Sequence, residues 1–170
     1  MIIYSIIVTN FNYGQFIDRC LRSCLNQSLN KEHYEIIVVD DKSTDNSIKR
    51  LQDYQDGYSN LKIIYNKKNL GVAASANRAI KLSKGKYFVR VDADDYISSE
   101  FLVILGQYIN NDKSILGVAC DYYLIDQKKK RLKFFHLKFF LYHVVFYTIK
   151  TNFQNMVIII QSLDTEKKRS

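Results

Sequence analysis

The run Val91-Asp92-Ala93-Asp94-Asp95 sets three carboxylates within four residues, directly after the apolar segment Tyr87 to Val91. Carboxylates held that close repel one another unless a cation or hydrogen-bond donors compensate. Oxygen ligands with no Cys or His beside them favour a hard ion such as Mg2+ or Mn2+, which binds through one or two carboxylates plus substrate phosphates. The chemistry to expect is a divalent metal carrying a diphosphate, with Asp92 and Asp94 dividing ribose and metal duties and the small Ala93 leaving room. A solvated acidic turn capping the next helix is the bland alternative, and for an isolated D-x-D it would win.

The company of this run favours a site. Polar residues follow three other apolar runs: Thr9-Asn10, Asp40-Asp41, and Asn66 with Asn69. In open parallel α/β sheets ligands bind just beyond the carboxyl ends of the strands, so four such ends imply one crevice. One carboxylate of Asp40 and Asp41 would accept a hydrogen bond from a base or ribose; alternatively both belong to a turn before a helix. Phe11 offers a ring face on which a nucleobase can stack, or else opens the first helix as a core residue.

These residues need strands and helices to position them. Ser5 to Val8, Glu35 to Val39, Leu61 to Tyr65, Tyr87 to Val91 and Ile115 to Cys120 are short apolar runs rich in β-branched residues, as buried strands are. Between them, Phe16, Ile17, Cys20, Leu21, Cys24 and Leu25 follow helical spacing. Ser43, Thr44 and Asp45 are N-cap candidates for a helix to about Tyr54. Val72 to Ser83 predicts a third helix closed by Lys84-Gly85, and Phe101 to Ile109 a fourth capped by Ser98 or Ser99. The expected fold is α/β, a mostly parallel sheet flanked by helices.

The 170 residues suit one domain, and 47% hydrophobic with 25% charged residues excludes a disordered chain. Cys20 and Cys24 lie one helical turn apart, and with Cys120 they form no metal-ligand cluster; they read as buried apolar residues. No secretory leader opens the sequence, so a reduced, cytoplasmic setting is expected. The net charge of +8 belongs mostly to the last quarter, in Lys128, Lys129, Lys130, Arg131 and Lys133 and in Lys167, Lys168 and Arg169, so nucleic acid is not the expected partner.

Beyond about Asp126 the alternation fails. Residues 126–170 read as an atypical basic and aromatic tail, set apart from a nucleotide-binding part at 1–125. Lys138, His143 and Lys150 break its apolar stretch short of the ~20 residues a membrane span needs. A peripheral contact at the inner face of a membrane is one reading of this tail, and a truncated or frame-shifted end is another.

The segments SIIVTNFNYGQFIDRCLRSCLNQS, YEIIVVDDKSTDNS and NLGVAASANRAIKLSKGKYFVRVDADD, in this order and spacing, resemble the nucleotide-sugar-binding half of a family 2 glycosyltransferase with the GT-A fold. The resemblance runs over roughly residues 3 to 125, and the second half of that domain is not matched. It implies that Thr9 and Phe11 border the base pocket and that Asp41, with Asp40 beside it, contacts uracil or ribose. Asn69 would belong to the donor site, Asp92 would face ribose and diphosphate, Asp94 would bind Mn2+ or Mg2+, and Asp95 would support them. The family usually has Arg where this chain has Ala76 before Asn77, with Arg78 after it, and Gly where it has Lys42. The implied reaction is inverting transfer of a sugar from a nucleoside diphosphate sugar, a UDP-sugar above all, to a polysaccharide or lipid-linked acceptor. The catalytic base of the family lies in the unmatched half, and nothing singles out Asp126, Asp164 or Glu166 for it. A haloacid dehalogenase phosphatase would carry its D-x-D after the first strand, and a receiver domain would need Asp where Asn66 stands. The remaining rival is a non-catalytic donor-binding remnant or interaction module.

Overall fold

A computed structural model describes residues 1–111 and the strand segments 122–125, 131–135 and 156–159, with side chains through residue 109. β1 (Tyr4–Asn10), β2 (Tyr34–Asp40), β3 (Leu61–Tyr65) and β4 (Tyr87–Asp92) run parallel, in the order β3-β2-β1-β4. β5 (Tyr122–Ile125) and β6 (Arg131–Phe135) pair antiparallel as a separate two-stranded sheet. β7 (Met156–Ile159) lies parallel to the outer edge of β4, so part of the sequence read as a tail joins the main sheet. The strand expected at Ile115 to Cys120 lies outside the described residues.

The connections explain where a ligand can enter. From β1 the chain moves outward to β2 and β3, then returns to place β4 on the other side of β1. The gap between β1 and β4 is thus a topological switch point, where loops leave in opposite directions and open a crevice. Thr9 and Asp92 are register partners at this point.

Helices cover both faces because both faces are apolar. α1 (Ile17–Leu25) buries Ile17, Cys20, Leu21, Cys24 and Leu25, the stripe its spacing predicts. With α2 (Ser47–Gln52) and α4 (Phe101–Asn111) it packs over Tyr4, Ile6, Val8, Ile36, Val38, Val89 and Val91. α3 (Val72–Leu82) covers the alternate residues Ile7, Ile37, Val39 and Phe88 through Ala79. Ile6, Ile7, Ile36 and Ile37 have at most 1% of their surface exposed. Each such side chain contributes about 1.5–3 kcal/mol by leaving water, which is what holds the strand ends in place.

α2 starts later and ends earlier than its cap candidates predict. The Ser43 hydroxyl is drawn to the Asp40 carboxylate at 2.6 Å rather than to the helix. Asp45 instead accepts the Ser47 amide at 2.9 Å, so the helix begins at Ser47.

Candidate functional site

All four polar strand ends expected from the sequence meet at one edge of the sheet. Behind the edge, Asp40 is fully buried, and its carboxylate accepts the Ser43 amide at 2.9 Å, the Ser43 hydroxyl at 2.6 Å and the Asn10 side-chain amide at 2.7 Å. This ties the end of β1 to the end of β2. Ser43 also accepts the Asn12 amide at 3.0 Å, while Asn12 Oδ1 takes the Thr44 amide at 2.7 Å. Asn12 sits at φ 60°, a left-handed conformation that Asn tolerates because its short amide bonds locally.

Asp41 is 3% exposed and organises the next loop. Its Oδ1 accepts from the Asn66 side chain at 2.6 Å and the Leu70 amide at 2.8 Å, and its Oδ2 accepts the Gly71 amide at 2.7 Å. Gly71 is the N-cap of α3 at φ 84°, so an aspartate thirty residues away caps that helix. Burial opposes the charge on Asp41, but the donors of Asn66, Leu70, Gly71 and Ser75 outweigh it and hold the carboxyl below its usual range. Asn66 is itself shared: its side chain donates to Ser75 at 2.8 Å and accepts from Arg78. Asn69 accepts the Gly71 amide at 3.1 Å in the same loop.

Asp40 and Asp41 therefore both spend hydrogen-bonding capacity on the frame of the site. Phe11 is 42% exposed beside them, so it opens onto solvent rather than into the core. Arg78 reaches back to the end of β3, donating to the Tyr65 carbonyl at 3.2 Å and to Asn66.

The acidic run forms a tight turn, with the Asp95 amide donating to the Asp92 carbonyl at 2.9 Å. Ala93 belongs to the core under α1 and α4, while Asp92, Asp94 and Asp95 are half-buried around it. The Asp92 carboxylate is paired with Arg90 at 2.6 Å. Side chains of α1 and of Gln27 just beyond it fasten the chain after β4. Arg19 donates to the Asp94 carbonyl at 2.8 Å, the Ile97 amide donates to Ser23 at 3.1 Å, and Gln27 donates to the Ser98 carbonyl at 2.8 Å.

Among the described residues, no group of three or more His, Cys, Asp or Glu could hold a metal by itself. The donor set nevertheless fits a hard cation, because the turn offers carboxylate oxygens only and such ions complete their shell with phosphate oxygens and water. Cys20 and Cys24 are free and buried; hydrogen bonding with Cys24 and burial push the Cys20 thiol well up, which makes it a packing residue. Lys128 to Lys130, Lys167 to Arg169, Asp126, Asp164 and Glu166 lie outside the described residues. Among the described residues no helix is long and apolar enough to cross a membrane.

Arg90 and Arg19 escaped the sequence reading. Arg90 had a signal: a charge inside the buried run YFVRV needs a partner, and the residue two positions on shares its face. Arg19 had none, since its partners Asp94 and Tyr96 lie more than seventy residues away.

A parallel sheet covered by helices on both faces, with an acidic turn at its switch point, defines an α/β domain whose crevice opens at that point. The model of glycosyl transferase family 2 matches residues 5–166, and the chain belongs to that family. It is 47% identical over 100 residues to a poly(ribitol-phosphate) beta-glucosyltransferase of Bacillus spizizenii, covering 58% of this chain and 16% of that one. The crystal structure of S. aureus TarS 1-349 in complex with UDP-GlcNAc superposes with a TM-score of 0.66 at 28% identity, over 78% of this chain and 37% of that one. A mannosyltransferase of Pyrobaculum calidifontis in complex with GDP-Man and Mn2+ shares the fold at a TM-score of 0.63 and 21% identity, over 69% of this chain and 34% of that one. The chain spans less than half the length of the curated relatives it matches, from 16% to 42%.

Proposed function

We propose that this chain forms the donor side of an inverting glycosyltransferase that takes a UDP-sugar and passes the sugar to a hydroxyl of a polysaccharide or lipid-linked acceptor. The observation that carries the reading is the register pairing of Thr9 with Asp92 at the switch point, with the acidic turn immediately beyond it. The UDP-GlcNAc held by TarS, a relative of the same fold, supports a UDP-sugar as donor.

In this reading Thr9 and the exposed ring of Phe11 border the base. Asp40 acts from behind, by holding the ends of β1 and β2 together. Asp41 contacts the base or ribose and pins the loop carrying Asn69. Asp92 faces the ribose and diphosphate, Asp94 is the metal ligand, and Asp95 supports the turn. A Mn2+ or Mg2+ ion held there supplies charge neutralisation for the departing diphosphate. The general base that takes the acceptor proton is not assigned to any described residue. Work at the cytoplasmic face of a membrane would suit an acceptor of this kind.

Titration calorimetry with UDP tests the proposal. Binding should require Mn2+ or Mg2+, disappear with chelator, and be lost in Asp94→Asn. Folded protein that binds no UDP with metal would remove the proposal. Metal-dependent UDP binding with no sugar released or transferred from a UDP-sugar would instead identify a donor-binding remnant.

A further inference from the structure

We propose that Arg19 is a positioning residue for the metal turn and couples it to the base loop; this rests on reading Asp94 as the metal ligand. Its guanidinium donates through Nη2 to the Asp94 carbonyl at 2.8 Å. The same group lies 4.7 Å from the centre of the Tyr96 ring and 5.7 Å from that of Phe16. Phe16 in turn stands 6.2 Å from the ring of Tyr13, in the loop that also carries Phe11. One cation thus touches the backbone of the proposed ligand and the aromatic residues at the start of α1.

Stability alone does not account for an arginine here. Its Nε is buried with no hydrogen-bond partner, and burying a polar group unpaired is unfavourable. An unbranched apolar side chain would fill the same space without that penalty, but it would take away the donor to the Asp94 carbonyl. The neighbouring contacts also secure the chain further on: Ser23 holds Ile97, Gln27 holds Ser98 and Leu102, and the Ser28 amide donates to Ser99. Of these contacts from α1 and the residues after it, the one made by Arg19 is the one that grips the backbone of Asp94 itself. A planar guanidinium between rings has few ways to move, so it holds the carbonyl it grips in one place.

The coupling follows from the same geometry. A nucleoside base seated against the loop at residues 9–13 orders Tyr13 and Phe16, which orders Arg19 and the Asp94 turn. By linkage, UDP should tighten Mn2+ binding and Mn2+ should tighten UDP by the same factor.

The test measures Mn2+ affinity of the full chain by electron paramagnetic resonance, with and without saturating UDP. The proteins are wild type, Arg19→Met, Arg19→Lys, Tyr96→Leu and Asp94→Asn. Loss of one charge-assisted hydrogen bond should weaken Mn2+ about five- to tenfold in Arg19→Met and shrink the enhancement by UDP, with partial recovery in Arg19→Lys. Tyr96→Leu removes only the ring beneath the cation, so it should shift Mn2+ affinity the same way and carries the test if Arg19→Met does not fold. Unchanged or tighter Mn2+ binding in the Arg19 and Tyr96 variants, while Asp94→Asn abolishes it, overturns the role of Arg19 alone. Wild-type Mn2+ affinity in Asp94→Asn overturns the ligand assignment beneath it.

Discussion

Arg90 and Asp92 stand two residues apart on one face of β4, and Nη2 of the arginine lies 2.6 Å from Oδ1 of the aspartate. The face is the one covered by α3, and the pair is only partly exposed, at 26% and 21% of the two side chains. The guanidinium supplies the compensation that a cluster of carboxylates requires, and it fixes the Asp92 rotamer at the switch point. Arg90→Met should therefore destabilise the fold by no more than about 1 kcal/mol, as partly solvated ion pairs do. UDP binding should weaken more than stability does, because Asp92 loses its orientation. Chemical denaturation and UDP calorimetry on the same preparation compare the two; equal losses would assign Arg90 to the fold alone.

Asp41 links pH to stability. Its carboxyl titrates below the ordinary value of 3.8, so the folded chain binds the proton less readily than the unfolded one. The stabilisation is present in full above about pH 5 and is lost as pH falls through about 4 and then through the lower folded pKa. Asp41→Asn should cost about 2 kcal/mol at neutral pH, because the amide replaces an acceptor for the Asn66, Leu70 and Gly71 donors. It should also flatten the acid limb. Urea midpoints from pH 7 down to pH 3 measure both effects, and an unchanged acid limb would contradict the assignment.

Gly14 is a point of close approach. A Cβ there would lie 1.9 Å from Asn46 Oδ1, 2.9 Å from Asp45 Oδ2 and 3.0 Å from the Ser47 amide nitrogen. Gly14→Ala must turn the Asn46 side chain aside and crowd Asp45 and the first amide of α2, and overpacking of this kind costs about 1–3 kcal/mol. Gly57→Ala is the control, since the nearest atom to its Cβ is 4.0 Å away. Thermal melts of the two variants should separate by several degrees.

Lys42 occupies a left-handed position at φ 67°, directly after the two aspartates. A residue with a Cβ is strained there by about 1–2 kcal/mol, and glycine is not. Lys42→Gly should equal or exceed the wild type in denaturant midpoint. Lys42→Val, β-branched and stiff, should fall below it. The side chain is exposed, so the comparison reports on the backbone.

Apolar runs and helical spacing located the four strands and α1 because those signals come from near neighbours along the chain. The same reading predicted the polar strand ends, since a buried strand must stop where its polar residues begin. What each polar residue does there was not legible. Asp40 and Asp41 look equivalent in sequence, yet one ties β1 to β2 and the other caps α3, because their partners arrive from residues 10, 66, 70 and 71. α2 was misjudged for a related reason: Ser43, a good cap by type, is taken by Asp40.

The sequence by itself determined a parallel α/β sheet with an acidic turn at the end of its fourth strand, through local periodicity and composition. Only the tertiary structure decided that this turn meets β1 at the switch point and that Arg19 reaches Asp94 from α1. Those relations depend on which strands become neighbours and which helix face packs over them. They form between residues far apart in the chain, and only the folded core brings them within hydrogen-bonding reach.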